Sequence, residues 1–335
     1  MATIEDVARE AQVSVATVSR VINDSGLVKA ETAQRVRGVI KQLSYTPNLA
    51  ARNLRRNESR VVMMLAPNFT NPYYSQILSG ICDMSRQLGY ITLVYNTYDT
   101  ITPKEQALIE LIETNKVDGT ILLAINHDDS WLNKYKDDYS IVQCSEFVQD
   151  STLPHISADS YAAAYEATQY LIGLGHSSIG FVGSENRFQS TIQRYRGYVD
   201  ALQNAGLPLR EAWVDKASVD YSFQSGYAAA QRVLSAKTRP SAMFCVSDVV
   251  ALGVISQAQE MGLAVPGDLS VIGFDDVDYT TMFHPHLTTV SIPCYEVGQR
   301  AMLMLQQCMQ KKDDIETSVY VPYKFIVRES CAAYK

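Results

Sequence analysis

The N-terminal part of the chain places hydrophobic residues at the spacing of three short helices. Apolar side chains recur every three or four positions in residues 4–11, after Ser14, and again in residues 31–43. Thr3 and Ser14 stand where a helix needs an N-terminal cap, and Asp6 completes a variant of the capping box with Thr3. Because only a few residues separate the first two helices, the pattern is typical of a helix-turn-helix.

The outward face of the second helix carries small and polar residues. A recognition helix needs such residues where it enters the major groove, and an arginine further along can contact base edges. Val15 and Ala16 can contact thymine methyl groups. Thr17 or Ser19 can bind phosphate, and Arg20 can pair with guanine through two hydrogen bonds. The alternative is a helical hairpin that has no ligand.

Beyond residue 60, short apolar runs alternate with amphipathic stretches. Strands are predicted at 61–66, 91–95, 119–124, 141–144, 179–182, 242–246 and 269–274. Helices are predicted between them, among others at 74–88, 162–174, 194–205, 226–234 and 249–261. This alternation predicts parallel sheets with helices on both faces, and the number of strands predicts two doubly wound lobes with a ligand between them.

Charge separates the N-terminal part from this body. The 335 residues carry a net charge of −7, but residues 1–60 hold 10 Lys and Arg against 6 Asp and Glu. The remainder holds 19 basic against 30 acidic residues. A basic N-terminal domain on an acidic body is compatible with DNA binding, because physiological salt screens the repulsion from the body beyond about 1 nm.

The sequence argues against several other classes of protein. The six cysteines form no Cys-x-x-Cys pair, and His284 and His286 flank a proline without an assigned carboxylate partner, so no metal site or disulfide framework is predicted. No nucleotide-binding loop, nucleophile elbow or zinc-protease motif occurs, so we predict neither an enzyme nor a cofactor. The acidic N-terminus and the lack of a long apolar run predict a cytoplasmic protein.

Three motifs carry a resemblance to a known family. They are ATIEDVA at 2–8, VSVATVSRVIN at 13–23 and Y-x-P-N-x-x-A-R-x-L at 45–54. By these motifs the chain resembles the lactose/galactose repressor family of bacterial transcription regulators. The resemblance implies an all-α helix-turn-helix head and an α/β body of two doubly wound parallel-sheet lobes, similar to periplasmic sugar-binding proteins. It also implies a repressor that binds a pseudo-palindromic operator as a homodimer, controlled by a small-molecule effector.

The resemblance also divides the chain into domains. Residues 1–46 would be the DNA-binding domain, residues 47–60 a hinge, and residues 61–335 the effector-binding and dimerisation domain. Chain crossovers would make both lobes discontinuous, with 61–159 and 292–320 in the first lobe and 160–290 and 322–335 in the second. No heptad repeat follows residue 330, so a dimer is predicted rather than a tetramer.

The hinge is basic and too short to be a stable helix alone. Asn48 can cap a segment of nine residues, in which Arg52, Arg55 and Arg56 can contact phosphates. The resemblance implies that two hinges pair in the minor groove and that Leu54 of each inserts into the central base step. The alternative is a basic linker with Leu54 packed on the body.

The resemblance assigns the DNA contacts residue by residue. Val15, Ala16 and Arg20 occupy the positions that choose the operator, and they are most similar to the galactose repressor subgroup, which implies a central CpG. The predicted DNA-binding residues are Thr3, Ser14, Val15, Ala16, Thr17, Ser19, Arg20, Asn23, Asn48, Ala51, Arg52, Leu54 and Arg55.

The resemblance places the effector contacts mostly at strand ends. An arginine and an aspartate can bind vicinal hydroxyls or a base edge, and an aromatic face can stack on a sugar or purine. The alternatives are helix capping for Asp248 and Asp275, a surface ion pair for Arg194, and core positions for the tyrosines. The predicted effector-binding residues are Tyr73, Tyr74, Asp159, Arg194, Tyr221, Ser247, Asp248 and Asp275.

The effector class stays open between a sugar and a nucleoside. Sugars are the commonest effectors of the family, whereas residues 247–252 and 292–304 look most similar to its cytidine-responsive branch. Cys144 stands where a purine-binding relative has an acidic group, which weakens a purine assignment. Two other functional hypotheses are a cytoplasmic small-molecule-binding module without DNA function and an enzyme on an α/β scaffold.

Overall fold

The computed structural model describes residues 2–24, 26–45, 58–97, 105–311 and 315–335. The chain divides into two units, Met1–Ser59 and Arg60–Lys335. Within the described residues, no helix combines the length and the apolar character that crossing a membrane requires.

The N-terminal unit contains three helices, α1 (Ile4–Glu10), α2 (Val15–Ile22) and α3 (Ala30–Gln42). Thr3 and Asp6 form the predicted capping box, and the Ser14 side chain caps α2 by accepting from the Thr17 amide. The apolar faces of α1, α2 and α3 pack together in one small core, which confirms the predicted helix-turn-helix. The buried residues of that core are Val7, Ala8, Ala11, Val18, Val21, Val36 and Val39.

The body begins with alternating strands and helices. The first group is β1 (Val61–Ala66), α4 (Pro72–Gln87), β2 (Ile91–Asn96), α5 (Glu105–Asn115), β3 (Gly119–Leu122), β4 (Ile141–Cys144) and β5 (His155–Ala158). The second group is α6 (Ser160–Gly173), β6 (Ile179–Ser184), α7 (Gln189–Asn204), β7 (Val214–Ala217), α8 (Phe223–Leu234), β8 (Ala242–Cys245), α9 (Asp248–Glu260) and β9 (Ser270–Ile272). The chain ends with β10 (Thr289–Ser291), α10 (Cys294–Met309), β11 (Ser318–Val321) and β12 (Lys324–Ile326).

These strands form two parallel sheets and one small antiparallel pair. The first lobe is built on the order β11-β5-β4-β3-β1-β2, and the second lobe on β7-β6-β8-β9. The two parallel sheets confirm the predicted fold class. The C-terminal strand β12 belongs to neither parallel sheet, because it pairs antiparallel with β10.

The central strand β1 shows why the sequence pattern of these strands is a continuous apolar run. Val62, Met64 and Ala66 belong to the larger core, whereas Met63 and Leu65 belong to a separate core on the opposite face. Successive side chains of a strand point to opposite faces, and here both faces are covered. The unpredicted strands β5, β7, β10 and β11 are only three or four residues long and include polar or exposed positions, so they lack this signal.

Two glycines allow the helices of the first lobe to pack closely. A Cβ atom on Gly298 in α10 would lie 2.1 Å from the carbonyl oxygen of Ile77 in α4. A Cβ atom on Gly80 in α4 would likewise lie 2.1 Å from the carbonyl oxygen of Tyr295 in α10. The two backbones therefore touch, and this contact fixes α4, whose first turn carries Tyr73 and Tyr74.

Candidate functional site

The second helix of the N-terminal unit presents a mixed small and polar face to solvent. Ala16, Arg20 and Asn23 are exposed, whereas Val18 and Val21 hold α2 to the core. This arrangement leaves the side chains that can read base edges on the accessible side of the helix. Of the predicted DNA contacts on α2 itself, Ala16 and Arg20 are the most exposed, and Asn23 lies just beyond its last residue.

Several predicted DNA contacts in this unit also have structural roles. The Thr3 and Ser14 side chains cap α1 and α2, and Ser14 and Thr17 hydroxyls lie 2.9 Å apart. Asn23 donates from Nδ2 to the Ser19 carbonyl oxygen at 2.8 Å and so closes the end of α2. These bonds fix where the helix begins and ends. Asn48, Ala51, Arg52, Leu54 and Arg55 lie outside the described residues.

The body contains a small polar cavity at the ends of its strands. Its position follows from the topology, because the carboxyl ends of parallel strands meet at one edge of each sheet. The free space is about 20 Å³, enough for about one water molecule. The lining residues are Asn71, Tyr73, Tyr74, Glu146, Ser190, Arg194, Tyr221, Ser247 and Asp275.

A buried ion pair lies in this cavity. Arg194 on α7 is 6% exposed, and its Nη2 atom is 3.5 Å from Oδ1 of Asp275, which is 7% exposed. Arg194 also donates from Nη1 to the Val246 carbonyl oxygen at 2.5 Å and stacks on the Phe274 ring. The alternative of a surface ion pair for Arg194 is therefore wrong.

The pair keeps hydrogen-bonding capacity for a ligand. Among the described residues, Arg194 Nε and Asp275 Oδ1 have no hydrogen-bond partner. Buried polar groups are normally paired, so an unpaired donor and an unpaired acceptor on two residues that line one cavity suit a ligand hydroxyl group. Asp275 is also held at a φ of 110°, a strained conformation for a residue with a side chain, while its amide donates to the Val290 carbonyl oxygen.

Sequence reasoning missed Glu146, which lies two residues beyond the end of β4. It is 5% exposed, and its carboxylate accepts from both the amide and the hydroxyl of Ser190 on α7. The same signal that identified Asp275, a carboxylate directly after an apolar strand, could have found it. Glu146 therefore supplies an acidic group to the cavity. It lies two residues after Cys144, the uncharged residue that weakens a purine assignment.

Burial raises the pKa of the two acidic side chains that line the cavity, Glu146 and Asp275. Loss of contact with water raises the pKa of Glu146 to about 7, against the lowering effect of the Ser190 hydrogen bonds and Arg194. Burial also raises the pKa of Asp275 to about 7, although Arg194 lowers it. The cavity can therefore hold or release protons near neutral pH, which is typical of a functional site.

Three tyrosines supply the aromatic part of the lining. Tyr73 and Tyr74 meet edge to face with centroids 5.4 Å apart, and the Tyr73 hydroxyl is hydrogen-bonded to Ser145. The Tyr221 hydroxyl lies 2.7 Å from Thr191 Oγ1. Burial raises the pKa of all three phenols, so they stay neutral hydrogen-bonding groups at physiological pH.

Two predicted effector contacts lie elsewhere. Asp248 is fully buried outside the cavity lining, and its carboxylate accepts from Thr289 Oγ1 at 2.6 Å and from the Val277 amide at 2.9 Å. Asp159 is exposed and caps α6 by accepting from the Ala162 amide at 2.9 Å. Both side chains already have hydrogen-bond partners within the protein, and their assignment to the effector site stays a prediction.

We expect the raised pKa of Glu146 to make the body less stable as pH rises from 5 to 8. The folded protein keeps this proton up to about pH 7, whereas the unfolded chain releases it near pH 4.5. The stabilisation is complete below 4.5 and is lost as pH rises through about 7, on the order of 3 kcal/mol in total. Urea denaturation of wild type and Glu146→Gln at several pH values measures this difference.

The comparison with Glu146→Gln removes the effects of titrating groups that do not interact with Glu146. Asp275 does interact with Glu146, so the measured difference includes the accompanying change in the pKa of Asp275. Burial lowers the pKa of His155 and His176, which gives a change of opposite sign below pH 6.5, but both histidines are present in the variant. The glutamine can still accept from Ser190. Parallel stability profiles for the two proteins would contradict the raised pKa of Glu146.

Comparisons with known proteins agree with this architecture. Residues 3–48 match the family described as bacterial regulatory proteins, lacI family, and residues 168–331 match the periplasmic binding protein-like domain. The HTH-type transcriptional repressor CytR of Escherichia coli is 35% identical over 333 residues, covering 99% of this chain and 97% of CytR. The chain belongs to the LacI family.

Solved structures extend the comparison for this LacI-family protein. The Lac repressor dimer bound to operator and an anti-inducer has the same fold, with a TM-score of 0.89 and 24% identity over 99% of both chains. The regulator CelR in complex with cellobiose has a TM-score of 0.74 and 26% identity, and the match covers 98% of this chain and 100% of CelR. The predicted family and fold are confirmed, and the CytR relative is a transcriptional repressor rather than an enzyme.

Proposed function

We propose that this LacI-family protein is a sequence-specific repressor that binds a pseudo-palindromic operator as a homodimer under the control of a small-molecule effector. The observation that carries the DNA function is α2, which exposes Ala16 and Arg20 within the matched lacI-family segment. Residues 1–46 would bind DNA, residues 47–60 would form the hinge, and residues 61–335 would bind effector and dimerise. Since the operator lies in the nucleoid, the protein would work in the bacterial cytoplasm.

The charges of the N-terminal unit support Arg20 as the base-reading residue. In the described part of this unit, ion pairs join Arg9 to Asp6 and Arg37 to Asp24. Arg20 takes part in neither pair and is exposed on α2. A guanidinium group without a carboxylate partner can bind guanine bidentately without first breaking an ion pair.

The exposed apolar surface of the body supports a homodimer. Ile91 and Tyr95 on the edge strand β2 are 61% and 43% exposed. Met282 and Phe283 are 62% and 57% exposed beside an apolar groove of about 590 Å³ that includes Phe223. Apolar patches of this kind favour association with another surface, and a second copy would place two DNA-binding units on one operator.

The cavity supports an effector with several hydroxyl groups, either a sugar or the ribose of a nucleoside. Arg194, Asp275 and Glu146 offer complementary donors and acceptors, and the tyrosines offer ring faces. Because about 20 Å³ is far too small for such a molecule, the two lobes must separate to admit it. A ligand that favours a different lobe separation would change the spacing of the two hinges and hence operator affinity.

Replacing Arg20 with alanine tests the DNA function. The change should remove discrimination at one base pair by about 1–3 kcal/mol, or roughly 5- to 150-fold in relative affinity. The measurement is fluorescence anisotropy on a palindrome with a central CpG and on single-base variants, at two salt concentrations. Arg37→Ala is the matched control, since it removes the same charge from α3 rather than from α2.

The outcomes separate the candidate functions. Wild-type binding that falls steeply with salt and depends on the central step supports the repressor, because phosphate neutralisation releases counterions. Equal weakening of all DNA sequences by Arg20→Ala would contradict the recognition-helix assignment. No DNA binding in any condition would favour a small-molecule-binding module.

A further inference from the structure

Three metal-ligating side chains meet on the surface of the second lobe. His284 and His286 lie in the segment before β10, and Glu329 follows β12. The Nδ1 atom of His284 is 3.4 Å from Oε2 of Glu329, and Nδ1 of His286 is 3.4 Å from Oε1. One ligand atom from each residue can be chosen so that all three lie within 4.8 Å of one another. The carboxylate that the sequence pattern could not assign to the two histidines is therefore Glu329.

Backbone hydrogen bonds hold the two segments in this register. The amide of His286 donates to Oε2 of Glu329 at 3.0 Å, and the amide of Glu329 donates to the His286 carbonyl oxygen at 3.0 Å. The neighbouring Arg328 donates from Nη1 to the Leu287 carbonyl oxygen at 2.8 Å and from Nη2 to Asp276 at 2.6 Å. The backbones of the two segments and the Glu329 carboxylate are thus held by contacts that do not involve the imidazoles, and the imidazoles in turn contact Glu329.

We propose that His284, His286 and Glu329 bind a divalent first-row transition metal ion such as Zn²⁺. Zinc bonds to histidine nitrogen and carboxylate oxygen are about 2.0–2.2 Å long, so neighbouring ligands on a tetrahedral ion are about 3.3–3.5 Å apart. Each imidazole Nδ1 atom lies at this distance from a Glu329 oxygen, His284 from Oε2 and His286 from Oε1. Because these are different oxygens, a shared ion requires the Glu329 carboxylate to turn or to bind through both oxygens. Imidazole ligands select zinc, nickel, cobalt or copper over magnesium and calcium, which prefer oxygen.

The site is open to solvent on one side. The His284 side chain is 77% exposed, Glu329 is 55% exposed and His286 is 33% exposed. Exposed ion pairs contribute little to stability, so the cluster gives the fold little benefit as an ion pair alone. With three protein ligands, the ion would keep at least one position for water, and it would cross-link the loop that carries Phe283 to the C-terminal segment.

Calorimetric titration of the untagged full-length protein with zinc chloride tests this proposal. We expect one Zn²⁺ per chain, an increase in Tm on binding, and visible absorption from a Co²⁺ complex with fewer than six ligands. The His284→Gln/His286→Gln double variant and the Glu329→Gln variant should each bind Zn²⁺ at least about tenfold more weakly. His127→Gln should bind it normally, because His127 lies apart from the cluster and contacts Arg187.

The Glu329→Gln variant keeps the proposal testable if the double variant folds poorly. Its amide oxygen can still accept from the His286 amide, so the loop keeps its anchor, and circular dichroism would confirm the fold. Unchanged zinc affinity in Glu329→Gln and the double variant, or no binding by the wild type, would overturn the proposal. One ion per two chains would also overturn it, in favour of a site shared through the groove that His284 lines.

Discussion

An Arg194→Met variant is expected to lose its response to the effector together with a large part of the stability of the body. Among the described residues that line the cavity, Arg194 is the one cation, and the substitution leaves the buried acids Asp275 and Glu146 without it. Removing one partner of a buried ion pair costs about 3–5 kcal/mol. The substitution also removes the unpaired Nε donor and the Nη2 group that lies 3.5 Å from Asp275 Oδ1, so the proposed hydroxyl contact disappears.

Two measurements separate these effects. Urea denaturation gives the free energy of unfolding, and operator anisotropy with added pools of sugars or nucleosides gives the effector response. Without added effector, operator affinity should stay near that of the wild type wherever the body is folded, because α2 belongs to the Met1–Ser59 unit. The same effector pool that shifts operator affinity of the wild type is then added to Arg194→Met. A normal shift in the variant would show that the effector site does not include Arg194.

The Arg194→Met/Asp275→Asn variant is the matched control for stability. Asparagine has nearly the size of aspartate and tolerates the positive φ at this position better than most residues. Removing the acid with the cation leaves less uncompensated buried charge, so we expect the double variant to regain part of the lost stability. The effector response should stay absent, which would show that the lost response does not result from poor folding.

A Gly298→Ala variant is expected to destabilise the first lobe by about 3 kcal/mol or more. Its added methyl group would lie 2.1 Å from the Ile77 carbonyl oxygen and about 3.0 Å from the neighbouring carbonyl carbon and the Ile81 amide nitrogen. Backbone atoms cannot rotate away as a flexible side chain can, so α4 and α10 must move apart. Urea denaturation followed by fluorescence measures the loss, since Trp131 lies beside the first-lobe core and Trp213 is buried beside β7 of the second lobe.

Gly173→Ala provides the matched control for the glycine substitution. Gly173 ends α6, and an added Cβ atom there meets nothing within 4 Å. The same change should therefore leave stability unchanged or raise it by up to about 1 kcal/mol, since alanine favours helix more than glycine. Equal effects of the two substitutions would contradict the argument that close backbone packing requires Gly298.

The sequence by itself determined the local elements of this protein. The caps Thr3 and Ser14 and the apolar stripes identified the first two helices, because these signals act between residues three or four positions apart. The strand at 61–66 was predicted with its exact bounds, since burial on both faces produces an unbroken apolar run. The short strands β5, β7, β10 and β11 are not predicted from the sequence, because their polar or exposed positions interrupt that pattern.

Only the tertiary structure decided which polar residues share a site. The sequence brought Asp275 and Arg194 together by resemblance, but it gave no sign that Asp248 would be occupied by Thr289 and Val277. It also gave no sign that Glu146 would meet Ser190, a residue 44 positions away. Such contacts depend on how parallel strands and their helices are ordered in space, and residue spacing along the chain carries no record of that order.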